Sequence, residues 1–416
     1  MKIPANNPFF RSIVLLASGS FIAQAITTLS MPILTRLFSP EQLGVYTYVI
    51  SSAAIFMSII NGRYDVCIVT EKDEKKVFPL IKLCLLLGCT IAVLGSSFFA
   101  IYFFCTDKGI WMAGYIFLIL LSYALVDVFT AYNNRNKEYK IISAVYVIRT
   151  AVQNGFAILA GFLISSVHCL CLPYSLGLFL GLQKQVMPIK SHLKEILRIP
   201  CSCIKKVAFE HKKQPLFSAP ALLANSLSYS LITIFLESLY GMENVGLYSV
   251  SVRLLGLPLA VIGVNVSRVF VEQASKEYNN NGSFQYAFKR TFVLLLAVSI
   301  IMVIVLYFCA TPICVLVFGK EWADAGVFIK ILAPMFGVRF ITSAMSPSFV
   351  IVGRQKKELF LQFIFLFSNL VSFCVTKIFN WGIVDYIQIL SILYTFSYIV
   401  YLINIYLCSR LIKSSL

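Results

Sequence analysis

Residues 36–48 read RLFSPEQLGVYTY, and residues 239–251 read LYGMENVGLYSVS. Each is a short polar turn between long apolar runs, with an acidic residue and Gln or Asn followed by Leu-Gly-Val-Tyr or Val-Gly-Leu-Tyr. A second pair, NNRNKEYKI at 133–141 and VGRQKKELF at 352–360, recurs in the same order further along. Gly-aromatic turns and Arg-rich loops are common in membrane proteins, so either echo alone is weak. Two in register point to a tandem duplication.

The composition says what kind of chain is duplicated. The 416 residues are 59% hydrophobic and 13% charged, with mean hydropathy +0.84, too apolar for a soluble domain that must keep a polar exterior. Apolar stretches of about 20 residues recur along the whole length, each able to cross a hydrocarbon core of about 30 Å as a helix. The first, after MKIPANNPFFR, holds Gln24, Thr27, Thr28 and Pro32 without a clean cleavage site, so it is expected to be a span and not a signal peptide.

Apolar runs between polar punctuation predict twelve spans, at 12–36, 43–69, 78–104, 110–132, 141–165, 168–187, 218–239, 246–271, 291–311, 325–352, 359–378 and 384–408. The net charge of +17 is not read as a nucleic-acid signal, because Lys and Arg gather in alternate loops: KDEKK, NRNKEYK, Lys190 to Lys213, SKEYNNNG and GRQKKE. By the positive-inside rule these loops face the cytoplasm, which puts both termini inside. The longest loop divides the chain into a six-helix half at 1–187, a basic cytoplasmic linker at 188–217 facing anionic headgroups, and a six-helix half at 218–416. The expected fold is an all-α integral membrane protein of about 12 transmembrane helices, in two parallel six-helix repeats around a central cavity.

At about 100° per residue, Ser20, Gln24, Thr27, Thr28 and Thr35 share one face of the first span. Ser226, Tyr229, Ser230, Thr233 and Glu237 share a face of the seventh, with Asn225 at its edge. Such stripes suit a wet interface, although Ser and Thr also hydrogen-bond between helices. Arginines inside spans are costly and face a cavity or a partner. Arg149 and Arg253 lie well inside their spans, and Arg339 lies between Pro334 and Pro347, which are expected to kink the tenth. Lys82, Arg63 and Lys330 lie nearer span ends and can snorkel. Fewer acids oppose them, chiefly Asp127 and Glu237, which are the candidates for ion coupling; pairing with an arginine is the competing role. A net-positive path suits an anion, and the planar fork of Arg suits phosphate. The expected substrate path is Arg149, Arg253, Arg339, Gln24, Asn225 and Tyr229. The twelve cysteines lie mostly in apolar runs, where they act as small apolar residues. Cys169/Cys171 and Cys201/Cys203 have C-x-C spacing, so no metal and no cofactor is expected.

Three stretches, GSFIAQAITTLSMPILTRLFSPEQLGVYTYV, NGRYDVCIV and GLYSVSVRLLGLPLAVIGVNVSRVFVEQASKEYN, resemble the Wzx-type O-antigen and polysaccharide flippases of the multidrug/oligosaccharidyl-lipid/polysaccharide exporter superfamily. The likeness extends over most of the chain and is strongest in spans one, two and eight. The resemblance implies a multi-pass protein of the bacterial inner membrane that moves an undecaprenyl-diphosphate-linked oligosaccharide from the cytoplasmic to the periplasmic leaflet in lipopolysaccharide or related polysaccharide biosynthesis. It implies a lipid-linked oligosaccharide and membrane lipids as partners, with a polysaccharide polymerase and chain-length machinery as further ones. Arg149 and Arg253 occupy places where such flippases often carry a basic residue; Arg339 rests on position alone. The alternatives are a multidrug exporter of the same superfamily, which would favour acidic or aromatic cavities, and a polymerase, which would need a large outer loop. No phosphate-cradling G-x-x-x-x-G-K or zinc-protease motif gives an enzyme a seat.

Overall fold

The structure, a computed structural model, describes residues 8–410; the chain ends expected on the cytoplasmic side lie outside the described residues. It divides at Ser226/Leu227 into two compact units. The first holds α1 (Pro8–Leu37), α2 (Pro40–Met57), α3 (Asp65–Thr70), α4 (Glu74–Cys105), α5 (Trp111–Arg135), α6 (Tyr139–Leu163), α7 (His168–Gly177), α8 (Leu182–Val186), α9 (Leu193–Arg198) and α10 (Cys201–Glu210). Helix α11 (Ala219–Tyr240) crosses the division, and α12 (Met242–Pro258), α13 (Val264–Asn281), α14 (Gln285–Phe318), α15 (Ala323–Met345), α16 (Ser348–Ile351), α17 (Gln355–Phe379) and α18 (Ile383–Ser409) complete the second unit. Among the described residues nine helical segments are long and apolar enough to cross a membrane. The protein is an all-α, multi-pass membrane protein.

The repeated turn has the same job in both copies. Ser39 caps α2, accepting from the Gln42 N–H at 3.3 Å while Gln42 Oε1 accepts from the Ser39 N–H at 3.0 Å, with Pro40 at the first helical position. This reciprocal cap satisfies two donors that a helix start otherwise leaves unpaired. In the second copy Gly241, at φ +83°, occupies the cap position ahead of α12 without a side chain, a conformation that glycine adopts at no steric cost.

Two expected spans are interrupted. The run at 43–69 is not one helix: Gly62 (φ +59°) and Arg63 (φ +63°) are both left-handed and separate α2 from α3. Asn61, buried to 1%, fixes the break by donating from Nδ2 to Asp127 Oδ2 at 3.0 Å and to the Ala124 carbonyl at 3.4 Å. Gly88 of α4 makes room for it, since a Cβ there would stand 2.7 Å from Asn61 Oδ1. The run at 168–187 likewise splits into α7 and α8 at Gly181, φ +76°. Irregular backbone of this kind persists at membrane depth only where protein covers it or a cavity wets it.

The stretch 188–217, expected as a loop, is largely helical. Ile189, Ile196, Ile204 and Val207 bury against Val77, Leu80, Ile81 and Cys84 of α4, an apolar face that gives the segment a reason to fold. Lys82 Nζ donates to the carbonyls of Leu197 (2.7 Å) and Ile199 (2.8 Å), placing a cation at the C-terminus of α9. Tyr64 Oη donates to the Ala208 carbonyl, and Lys76 Nζ reaches Glu210 Oε1 at 2.6 Å. His211 Nε2 stands 2.8 Å from Glu71 Oε2. The Asp73 N–H, ahead of His211, holds the Glu71 carboxyl below the usual carboxylate range.

In the second unit the expected span at 246–271 is part of one continuous 40-residue helical segment, Met242–Asn281, with a π-turn at Leu259–Gly263 just after Pro258. Helix α15 is the most buried of the nine spanning segments. Pro334 lies inside it, and Pro347 lies in the break before α16. Close approach to α14 depends on Gly326, where an added Cβ would meet Thr311 Cα at 2.6 Å, and on Gly337, where it would meet Val303 Cγ2 at 2.7 Å. Gly326→Ala is therefore expected to cost about 1 to 3 kcal/mol by overpacking. Gly114→Ala, whose Cβ meets nothing within 4 Å, is expected to be neutral or slightly stabilising. Thermal melting of the two purified variants checks this; equal melting temperatures would contradict the close helix contact.

Candidate functional site

In the second unit α11, α12, α15 and α18 bring tyrosines around one arginine. The Arg339 guanidinium lies 4.8 Å from the Tyr229 ring centre and 5.0 Å from that of Phe336, within the stacking range of a cation on an aromatic face. Tyr398, Tyr248 and Tyr394 lie near enough for their phenols to act on its charge. Among the described residues no carboxylate lies within ion-pair distance of it. The cage is braced from behind: Tyr229 and Tyr398 hydroxyls are 3.0 Å apart, Tyr394 Oη and Asn369 Nδ2 both donate to the Ser228 carbonyl, and Phe365 packs on Tyr398 at 4.6 Å. Tyr394, Tyr398 and Tyr401 share a face of α18 at helical spacing, and Tyr401 Oη donates to Glu358 Oε1 at 3.0 Å.

Arg339 is caged by aromatics yet half-exposed, because it lines a cavity of about 510 Å³ together with Gly256, Ala260, Gly263, Ser267 and Arg268. Stacking occupies the faces of a guanidinium and leaves its in-plane N–H donors directed outward. A cation so held, opposite no carboxylate, can receive an oxyanion through two parallel hydrogen bonds.

The other expected site residues are placed differently. Arg149 of α6 is buried to 7%, and its Nη2 donates to the Leu180 carbonyl at 3.1 Å, at the break between α7 and α8; its Nε is buried without a hydrogen-bond partner. Arg253 is half-buried on α12 and is absent from the described lining of the cavity. Asp127 of α5 accepts from Asn61 and is half-buried, near the Arg63–Asp65 pair at 3.6 Å. Gln24 is exposed on α1, while Asn225 and Glu237 are half-buried on α11. The polar stripes are less uniform than the helical wheel implies. Thr35, Ser230 and Thr233 are buried, and Thr27 and Thr35 turn their hydroxyls back onto the carbonyls of Ala23 and Met31, the usual recourse of a hydroxyl inside a helix. Of the expected residues, the structure brings Tyr229 and Arg339 together.

Sequence reading missed Arg268, Tyr248, Tyr394 and Tyr398. The i, i+4, i+7 tyrosines of the last span were visible as a pattern; their convergence on Arg339 needs the tertiary fold. Among the described residues no three His, Cys, Asp or Glu side chains gather as a metal group, and Cys201 and Cys203 are exposed free thiols on α10.

The fold is one shared by solved membrane transporters of the MOP superfamily. The chain superposes on the lipid II flippase MurJ in an inward closed conformation (TM-score 0.69, 15% identity, 94% of this chain and 87% of that one). It also superposes on an inward-facing multidrug resistance MATE family transporter (0.66, 14%, 95% and 94%) and on a MOP superfamily transporter from Pyrococcus furiosus described as having a binding pocket of reverse polarity (0.60, 16%, 96% and 94%). At these identities the likeness establishes the fold. No curated protein sequence matches the chain. The chain belongs to the polysaccharide biosynthesis protein family, whose profile matches residues 33–327, and the resemblance to Wzx-type flippases is borne out at that level.

Proposed function

We propose that this protein is a flippase that moves an undecaprenyl-diphosphate-linked oligosaccharide, an O-antigen or related repeat unit, from the cytoplasmic to the periplasmic leaflet of the bacterial inner membrane, with both termini cytoplasmic. The observation that carries this reading is Arg339: a guanidinium held by aromatic faces at a cavity in the membrane, with no described carboxylate partner. Such a group favours a phosphate-bearing substrate over the cations that a multidrug exporter handles. Membership of a polysaccharide biosynthesis family and the fold shared with a lipid II flippase support the lipid-linked glycan as cargo. We assign the diphosphate to Arg339 and a structural role to Arg149, whose guanidinium serves the Leu180 carbonyl. Asp127 and Glu237 are the carboxyls we put forward for ion coupling. A polymerase and chain-length machinery would act on the product after translocation.

The test is the phenotype of a strain lacking the protein. Lipid-linked oligosaccharide is expected to accumulate on the cytoplasmic leaflet and surface polysaccharide to be lost. Export of single repeat units at the normal rate, with only their polymerisation blocked, would overturn the flippase reading in favour of a polymerase.

A further inference from the structure

Helix α4 marks the depth at which the segment after α8 lies. The 23 residues from Leu83 to Cys105 carry no charge, and at about 1.5 Å each they extend about 34 Å, enough to fill a hydrocarbon core of about 30 Å. Lys82 therefore stands at the edge of the core, on the proposed cytoplasmic side. One turn further into the core, Leu86 begins a stripe with Val93, Leu94 and Ile101, each at least half exposed, an apolar face that belongs in lipid. Phe78 and Lys82 continue this stripe out of the core at spacings of four. Both hold the following segment: the His192 ring packs on Phe78 at 5.1 Å, and Lys82 donates to the carbonyls of Leu197 and Ile199. The 3-10 turn Met187–His192 and α9 thus lie across the lipid-facing side of α4, at headgroup depth.

The two sides of this stretch differ. Ile189, Leu193 and Ile196 turn to the core of the first unit. Lys190, Lys194, Leu197 and Arg198, at spacings of four, three and one, share an outward face, and all four are exposed, Leu197 to 72%. Among the described residues no carboxylate lies within ion-pair distance of the three cations, and Glu195 is the one acid of the stretch. A bare leucine set among unpaired cations matches a surface that offers phosphates above acyl chains.

We propose that this face docks anionic phospholipid headgroups of the cytoplasmic leaflet. Lys190, Lys194 and Arg198 take the phosphates, and Leu197 inserts at the boundary of the acyl chains. Net charge alone singles out no face of the basic linker; its register on α4 does. Anionic headgroups then hold Met187–Ile199 in place, so the order of this stretch depends on the charge of the lipid. The surface is independent of the cargo and gives the protein a lipid requirement separate from its substrate.

The test uses the full-length protein in nanodiscs of phosphatidylcholine alone or of phosphatidylcholine with phosphatidylglycerol, read by amide hydrogen exchange. Attraction of three cations to an anionic surface is expected to slow exchange over residues 187–199 at least about tenfold when phosphatidylglycerol is present, and the slowing is expected to fade at high salt. Combining Lys190→Gln, Lys194→Gln and Arg198→Gln leaves Ile189 and Ile196 in place. Exchange of this variant in phosphatidylcholine alone is expected to match wild type, with the response to phosphatidylglycerol lost. Leu197→Trp supplies an independent arm: its added fluorescence, over that of Trp111, Trp322 and Trp381, is expected to be quenched by phospholipids brominated near the glycerol end of the acyl chain. Equal exchange with and without phosphatidylglycerol would overturn the proposal, as would a triple variant that responds like wild type. Quenching of the introduced tryptophan by aqueous iodide and not by brominated lipid would also overturn it, turning this face to the cytosol and a soluble protein partner. The flippase reading is tested separately by the deletion strain and survives any of these results.

Discussion

Arg339→Ala is expected to remove polysaccharide export while leaving the folded protein in the membrane at close to its wild-type amount. Its stacking partners in the structure are the faces of Tyr229 and Phe336, contacts worth about 0.5 to 2 kcal/mol. No described carboxylate is left as a buried orphan when the guanidinium goes, so the large penalty of breaking an ion pair does not arise. Transport loses far more. Each charge-assisted hydrogen bond contributes about 1.5 to 3 kcal/mol, and two parallel ones to a phosphate correspond to at least about a hundredfold in rate. Arg339→Lys keeps the charge and loses the fork, so it is expected to recover only part of the activity. The measurement is surface polysaccharide normalised to folded protein for both variants. Wild-type export per folded molecule in Arg339→Ala would show that this residue does not carry the anion.

How far such a site can be read from sequence depends on which forces set it. The all-α membrane architecture and the repeated turn were legible because hydropathy and capping are local; the expected twelve spans are not all matched, since among the described residues nine segments are long and apolar enough to cross a membrane. Ser39 and Gly241 start equivalent helices, and the sequence displays both. The interruption of the second span was also written locally, in Asn61-Gly62, a dipeptide that favours left-handed backbone, but its apolar surroundings hid it within a run of helix length. The helical linker was missed because its lysines dominate its composition, whereas its fold depends on four buried aliphatics meeting α4. Arg339 was legible as a costly charge in a span. Its cage was not, because Tyr229, Tyr248 and Tyr398 reach it from three other helices, and Arg268 sits near a predicted span end, where snorkelling is the ordinary explanation.

Arg149 obeys the same sequence rule as Arg339 and yields the opposite expectation. It sits in a ladder along α6. Val145 packs where Gly181 lacks a side chain, an added Cβ lying 2.7 Å from Val145 Cγ1. Arg149 donates to the Leu180 carbonyl, and Gln153 Nε2 donates to the Tyr174 carbonyl at 2.9 Å beside Gly177. The three residues are four apart, so one face of α6 clamps α7 and the turn that follows it. Arg149→Ala strips the carbonyl of its donor, a loss of about 1 to 3 kcal/mol for a buried polar group, and adds the cavity left by the long stem. The expected result is a clear fall in folded protein and in melting temperature, with export per folded molecule retained. Arg149→Lys still carries a donor and is expected to recover stability, whereas Arg149→Met keeps the volume without the donor and is expected to recover little. Wild-type abundance and melting temperature in Arg149→Ala, combined with lost export, would instead put this guanidinium on the substrate.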